Sequence, residues 1–85
     1  MISNTDIFRK KLLFRSSHRG TKEMDILLSS FVNKFIHEFD EKKLLELENF
    51  LNFEDEIILN YYQNNLIEKN IDKNKVSKIF KNFKI

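Results

Sequence analysis

Apolar residues recur along this chain at intervals of three and four, and no useful stretch alternates with a period of two. From Met24, the residues Leu27, Leu28, Phe31, Phe35 and Ile36 keep the spacing of one buried helical stripe, with Ser29, Ser30, Asn33 and Lys34 opposite. This longest run predicts a central helix over 20–37. Ahead of it, Phe8 and Leu12, flanked by Ile7 and Phe14, predict a first helix over 5–16, with Ser3, Asn4 or Thr5 available as a cap. A third helix, over 40–51, has the clearest start. Asp40 is a good N-cap, and Phe39 before it with Leu44 after it have the spacing of a hydrophobic staple. Its expected inner face is Leu44, Leu45, Leu47, Phe50 and Leu51, and Lys42 stands at i, i+4 from Glu46.

Glu54, Asp55 and Glu56 open a fourth helix over 54–65, their charge suited to the positive pole of the helix dipole. The last helix, over 72–83, repeats the staple with Ile71, Asp72 as cap and Val76, then turns Ile79, Phe80 and Phe83 inward. Asn64-Asn65 and Lys69-Asn70 mark turns. The expectation is an all-α fold: a small single-domain bundle over 1–85 of four to five short, antiparallel-leaning helices.

Composition narrows the chemistry. Without cysteine there is no disulfide, thiolate nucleophile or cysteine-ligated zinc, and His18 and His37 are too far apart to form a metal pair on one helix. Adjacent acids such as Glu54 and Asp55 on a solvated helix make a poor acid–base pair, since that work needs tuned groups in a cleft. No nucleophile–base set and no phosphate-cradling glycine loop is present. The reading is a protein that is not an enzyme.

The formal net charge of +2 hides a division into basic ends and an acidic middle: +5 over 1–22, −8 over 23–68 and +5 over 69–85. Lysines of the last helix and the Arg9, Lys10, Lys11 cluster could meet phosphates. The acidic middle would repel a polyanion, and only three arginines are available to read bases. No nucleic-acid partner is therefore expected. No run approaches the ~20 apolar residues of a membrane span. The basic, amphipathic start has the look of a transit peptide, but Asp6 is acidic and the stretch runs unbroken into the next element. A mature, cytoplasmic chain is the expectation, with no membrane insertion.

The chain turns at Ser16-Ser17-His18-Arg19-Gly20-Thr21-Lys22-Glu23, which holds the only glycine of a sequence with no proline. Gly20 is expected to take a left-handed conformation just past the first helix. Arg19 and Glu23 are expected to project into solvent at that corner. Phe14 and Arg15 would widen the patch into an aromatic-plus-arginine surface, a composition typical of binding hot spots.

The run Phe14-Arg15-Ser16-x-His18-Arg19-Gly20-Thr21-Lys22-Glu23-Met24-Asp25-Ile26-Leu27-Leu28 resembles the signature of the succinate dehydrogenase flavinylation and assembly factors, the SdhE/YgfY-type family. Their Arg-Gly-x-x-Glu motif is matched by Arg19, Gly20 and Glu23, and the Asp-Leu-Leu-like run by Asp25 onward. A later Asp-x-x-Leu-x-x-Trp-like spacing is met by Asp55, Ile58 and Tyr61, so the likeness covers residues 8 to about 62. The sequence departs from bacterial relatives at Ser17 (often aromatic), at Ser29 (often glycine) and around Glu54 and Glu56 (often proline).

The resemblance implies a small helical chaperone, a monomer in the bacterial cytoplasm. It would bind the flavoprotein subunit of succinate dehydrogenase transiently, in some bacteria that of fumarate reductase also, and promote covalent attachment of FAD. FAD would belong to the client, with no cofactor or metal bound by the chaperone itself. The implied contact residues are Arg19, Gly20 and Glu23 with Asp25, together with Phe14, Arg15, His18 and Lys22 around them, and secondarily Asp55 and Tyr61. The alternative is a small helical nucleic-acid-binding or regulatory adaptor using the lysine-rich last helix.

Overall fold

The computed structural model describes residues 3–85, and most of its helices begin where a side chain satisfies the first free N–H groups. Helix α1 (Asn4–Ser16) is capped by Ser3, whose Oγ accepts the Asp6 N–H at 3.1 Å. Helix α2 (Lys22–Phe35) is capped by Thr21, which accepts the Met24 N–H at 3.2 Å. Helix α3 (Glu41–Leu51) starts at Asp40 as its sequence requires, with the Lys43 N–H at 2.9 Å from the carboxylate. Helix α4 (Asp55–Asn64) has no side-chain cap; Asp55 and Glu56 supply negative charge in its first turn. A 3₁₀ turn (Ile71–Lys73) then leads into α5 (Lys75–Lys81), and no strand occurs among the described residues. The fold is an all-α bundle.

The core is built on phenylalanine. Phe31 of α2 lies 5.1 Å from the ring of Phe80, 5.4 Å from Phe83 and 6.2 Å from Phe50, all edge-on. Edge-to-face contacts of this kind let one residue type fill a centre without alanine or tryptophan. Leu12, Leu28, Val32, Leu44, Leu47, Ile58, Ile71 and Val76 close around them, each fully buried. Helix α1 lies against α2 and α3, α3 also against α5, and α4 against α5 and the 3₁₀ turn. Every buried side-chain polar atom among the described residues has a hydrogen-bond partner.

Several expectations need correction. Leu45 is 55% exposed, so the inner face of α3 is Leu44, Leu47, Phe50 and Leu51. Glu46 is not drawn to Lys42; its Oε2 accepts the Lys75 N–H at 3.0 Å, serving the start of α5. Asp72 does not cap that helix. It lies inside the 3₁₀ turn, and Asn74 takes the role, accepting the Ser77 N–H at 2.9 Å and donating to the Glu46 carbonyl at 2.8 Å. The last helix thus begins two residues later than the staple spacing suggests, although Ile71 and Val76 are both buried. The asparagine turns match expectation. Asn65 and Asn70 are left-handed, with φ of 56° and 59°, and asparagine tolerates this better than most residues. The Leu66 N–H reaches back to the Asn60 carbonyl at 3.3 Å and closes α4.

Candidate functional site

The connection between α1 and α2 is five residues long, and each side of it is tied down by a different group. Helix α1 ends at Ser16, with Ser17 as its cap, so Gly20 lies beyond the position a helix-ending glycine takes. Its φ is +154°, not the left-handed helical value expected, and α2 begins two residues later. L residues rarely adopt that φ, so glycine is required by conformation. Space is not the reason: a Cβ there would meet only Asp55 Oδ2, at an ordinary 3.7 Å.

Arg19 does not project into solvent. Its side chain is 11% exposed and reaches across to the α3–α4 junction. Nε donates to Asp55 Oδ1 at 2.8 Å, Nη1 to the Leu51 carbonyl at 2.6 Å and Nη2 to the Phe53 carbonyl at 2.8 Å. The rigid guanidinium fork suits this job, because it meets a carboxylate, the last carbonyl of α3 and a carbonyl of the α3–α4 connection at once. Its own N–H donates to Asp25 Oδ1 at 2.5 Å. Asp25 and Asp55 therefore turn inward to Arg19.

The other two arginines follow the same rule. Arg9 donates to the Ile36 and Phe39 carbonyls, at 3.1 and 3.3 Å, beyond the end of α2. Arg15 donates to Asn52 Oδ1 at 2.7 Å, just past α3. The expectation for Arg19 is thus corrected, while Arg15 stays part-exposed next to Phe14 with its guanidinium held by Asn52.

What remains outside is a different patch. Phe14 is 63% exposed and stacks on His18, ring centroids 3.9 Å apart and 17° from parallel. His18 Nδ1 is held by the Phe14 carbonyl at 2.7 Å and by Ser17 Oγ at 3.0 Å, which fixes the ring on the surface. Lys22 and Glu23 are exposed in the first turn of α2. Tyr61, expected as a secondary contact, is instead a core residue only 5% exposed, on the same face of α4 as Ile57 and Ile58. Burial and the charge of Asp72 raise its phenol above the usual value of 10.0, against a hydrogen bond with Ser77. Sequence reading missed the Leu51 and Phe53 carbonyls and Asn52 altogether. No residue type announces that its main-chain oxygen is an acceptor.

Chemically, the corner presents an aromatic ring, an imidazole, an ammonium and a carboxylate, groups able to bind and orient a partner. Among the described residues, no group of three or more His, Asp or Glu could hold a metal ion. No helix of the structure is long and apolar enough to cross a membrane. In α5, Lys81 is drawn inward, its Nζ 2.8 Å from the Tyr61 carbonyl and 4.9 Å from that ring.

Comparison with known proteins gives one family. The sequence profile described as flavinator of succinate dehydrogenase matches residues 10–84. Succinate dehydrogenase assembly factor 2, mitochondrial, of Dictyostelium discoideum is 40% identical over 60 residues, 71% of this chain and 43% of that protein. The FAD assembly factor SdhE of Acetobacter pasteurianus is 40% identical over 47 residues, 55% of this chain and 43% of that protein. The corresponding mitochondrial assembly factor 2 of Scheffersomyces stipitis is 41% identical over 46 residues, covering 54% and 31%. The chain spans less than half the length of these curated relatives. No solved structure matches significantly.

Proposed function

The chain belongs to the family of flavinators of succinate dehydrogenase, and on that premise we propose that it is an assembly factor for the flavoprotein subunit of that enzyme. It binds the subunit through the face around Gly20 and promotes covalent FAD attachment there. FAD belongs to the client. The factor supplies no catalytic group and binds no cofactor; it acts as a monomer and dissociates afterwards. Its place is the soluble compartment where the flavoprotein folds, the cytoplasm of a bacterium.

One observation carries this reading: Arg19 is locked to Asp55, Leu51 and Phe53, while Phe14, His18, Lys22 and Glu23 stay exposed around it. A pre-ordered corner loses little entropy when it docks. Such a binder shifts its client between conformations only by its difference in affinity for them, which suits a helper that leaves. The expected contact set is accordingly Phe14, His18, Lys22, Gly20 and Glu23. Arg19, Asp25 and Asp55 hold that set in position, and Arg15 supports it from the side.

The test is covalent flavin fluorescence of the purified client after denaturation, with and without this chain. Stimulated attachment is the expected result. Cells lacking the chain whose dehydrogenase keeps its full covalent flavin would overturn the proposal. No specific contact favours the nucleic-acid adaptor.

A further inference from the structure

Beside the corner, α2 and α4 flank a shallow groove of about 330 Å³ lined by Glu23, Ile26, Leu27, Tyr62, Gln63 and Ile85. Its surface is apolar. Ile26 is 48% exposed and Ile85 78%, over a buried Leu27. Tyr62 offers only its ring, because its hydroxyl donates inward to the Phe83 carbonyl at 2.6 Å. Lys84 Nζ lies 6.0 Å from the centroid of that ring. Glu23 belongs to the same lining, exposed and in no ion pair among the described residues.

We propose that this groove receives a segment of the client flavoprotein that carries a bulky apolar side chain with an arginine or lysine beside it. The inference rests on the function proposed above. Three features select that occupant. The apolar lining gains by being removed from water. The Glu23 carboxylate, in no ion pair among the described residues, favours a cation beside it and disfavours a carboxylate there, while Lys84 keeps its own charge at the Tyr62 ring. The groove is also continuous with the corner, since Glu23 sits in the α2 turn that Thr21 caps next to Gly20. Glu23 thereby joins the charged corner to an apolar anchor site one turn further along α2.

The experiment titrates the full chain into purified apo-flavoprotein subunit of succinate dehydrogenase, with wild type, Ile26→Gln, Ile26→Met and Glu23→Gln. Ile26→Gln is expected to weaken binding about tenfold or more, as loss of a central apolar anchor does. Ile26→Met should bind like wild type, and Glu23→Gln should bind less tightly and lose much of the salt dependence. Thermal midpoints should stay together, since Ile26 and Glu23 are surface positions. If wild type and Ile26→Gln bind the subunit equally, the groove proposal fails while the function stands. If wild type does not bind the subunit at all, the function fails and the groove with it. Self-association of the chain, or adsorption to anionic vesicles, that Ile26→Gln abolishes would give the groove to another occupant and overturn the proposal.

Discussion

Arg19 Nε lies 2.8 Å from Asp55 Oδ1, joining the corner after α1 to the first residue of α4 across 36 positions of sequence. The motif arginine faces inward, and the surface it organises is made by its neighbours.

Removing that guanidinium should be a folding lesion. Arg19→Ala leaves two carbonyls and a carboxylate without their donor, at a cost of roughly 2–3 kcal/mol. In a domain of this size that lowers the thermal midpoint by about 10–20 °C. Arg19→Lys should recover less than half, because an ammonium cannot span the three acceptors. Calorimetry reads both, and an Arg19→Ala protein with wild-type stability would contradict the clamp.

Gly20 should be sensitive to any side chain, whatever its size. With φ at +154° and open space around the missing Cβ, the cost is conformational. Gly20→Ala and Gly20→Ser should therefore lose similar stability, about 1–2 kcal/mol by denaturant titration. A loss that climbs steeply with side-chain size would point to steric exclusion instead.

Phe14 and His18 should show the opposite behaviour. Phe14→Ala removes an exposed ring and should change stability by no more than about 0.5 kcal/mol, as surface substitutions usually do. Covalent flavin on the client, followed by fluorescence, should nevertheless fall several-fold. Unimpaired flavinylation by the Phe14→Ala, His18→Ala double variant would remove this pair from the contact surface.

Tyr61 is expected to matter for stability, not for contact. Tyr61→Ala should cost about 3–5 kcal/mol, the range for truncating a buried aromatic ring. Its raised phenol pKa also predicts a pH effect. Because the folded state holds the proton more tightly, stability is complete below the unfolded value of 10.0 and declines as pH rises through the higher folded one. Denaturation curves at pH 9 and 11 should differ more for wild type than for Tyr61→Phe.

The start of α5 discriminates two asparagine and aspartate roles. Asn74→Ala removes the cap and the bond to the Glu46 carbonyl, and should destabilise by about 1–2 kcal/mol. Asp72→Ala should be nearly neutral in the same thermal melt.

Much of this molecule could be read from local chemistry. Helical periodicity identified the α2 stripe from Met24 to Ile36, though it passed over Val32 and wrongly placed Leu45 inside. Asp40 as a cap and the turns at Asn64-Asn65 and Lys69-Asn70 were legible because a short polar side chain acts on backbone within a few residues. The cap of α5 was misread because Asp72 and Asn74 have similar local claims. Burial of Asn74 against the Glu46 carbonyl, 28 residues away, settles the choice.

Periodicity, capping and motif spacing are written along the chain, so its helices, its phenylalanine core and its family could be read there. Only the tertiary structure decided which motif side chains are engaged inside the chain. Whether a guanidinium points outward depends on what lies opposite it, and here Asp55 and the carbonyls of Leu51 and Phe53 come together only when α3 and α4 close on the corner. A charged side chain with such acceptors within reach is better satisfied inside than in water, and that balance is set by distance in space.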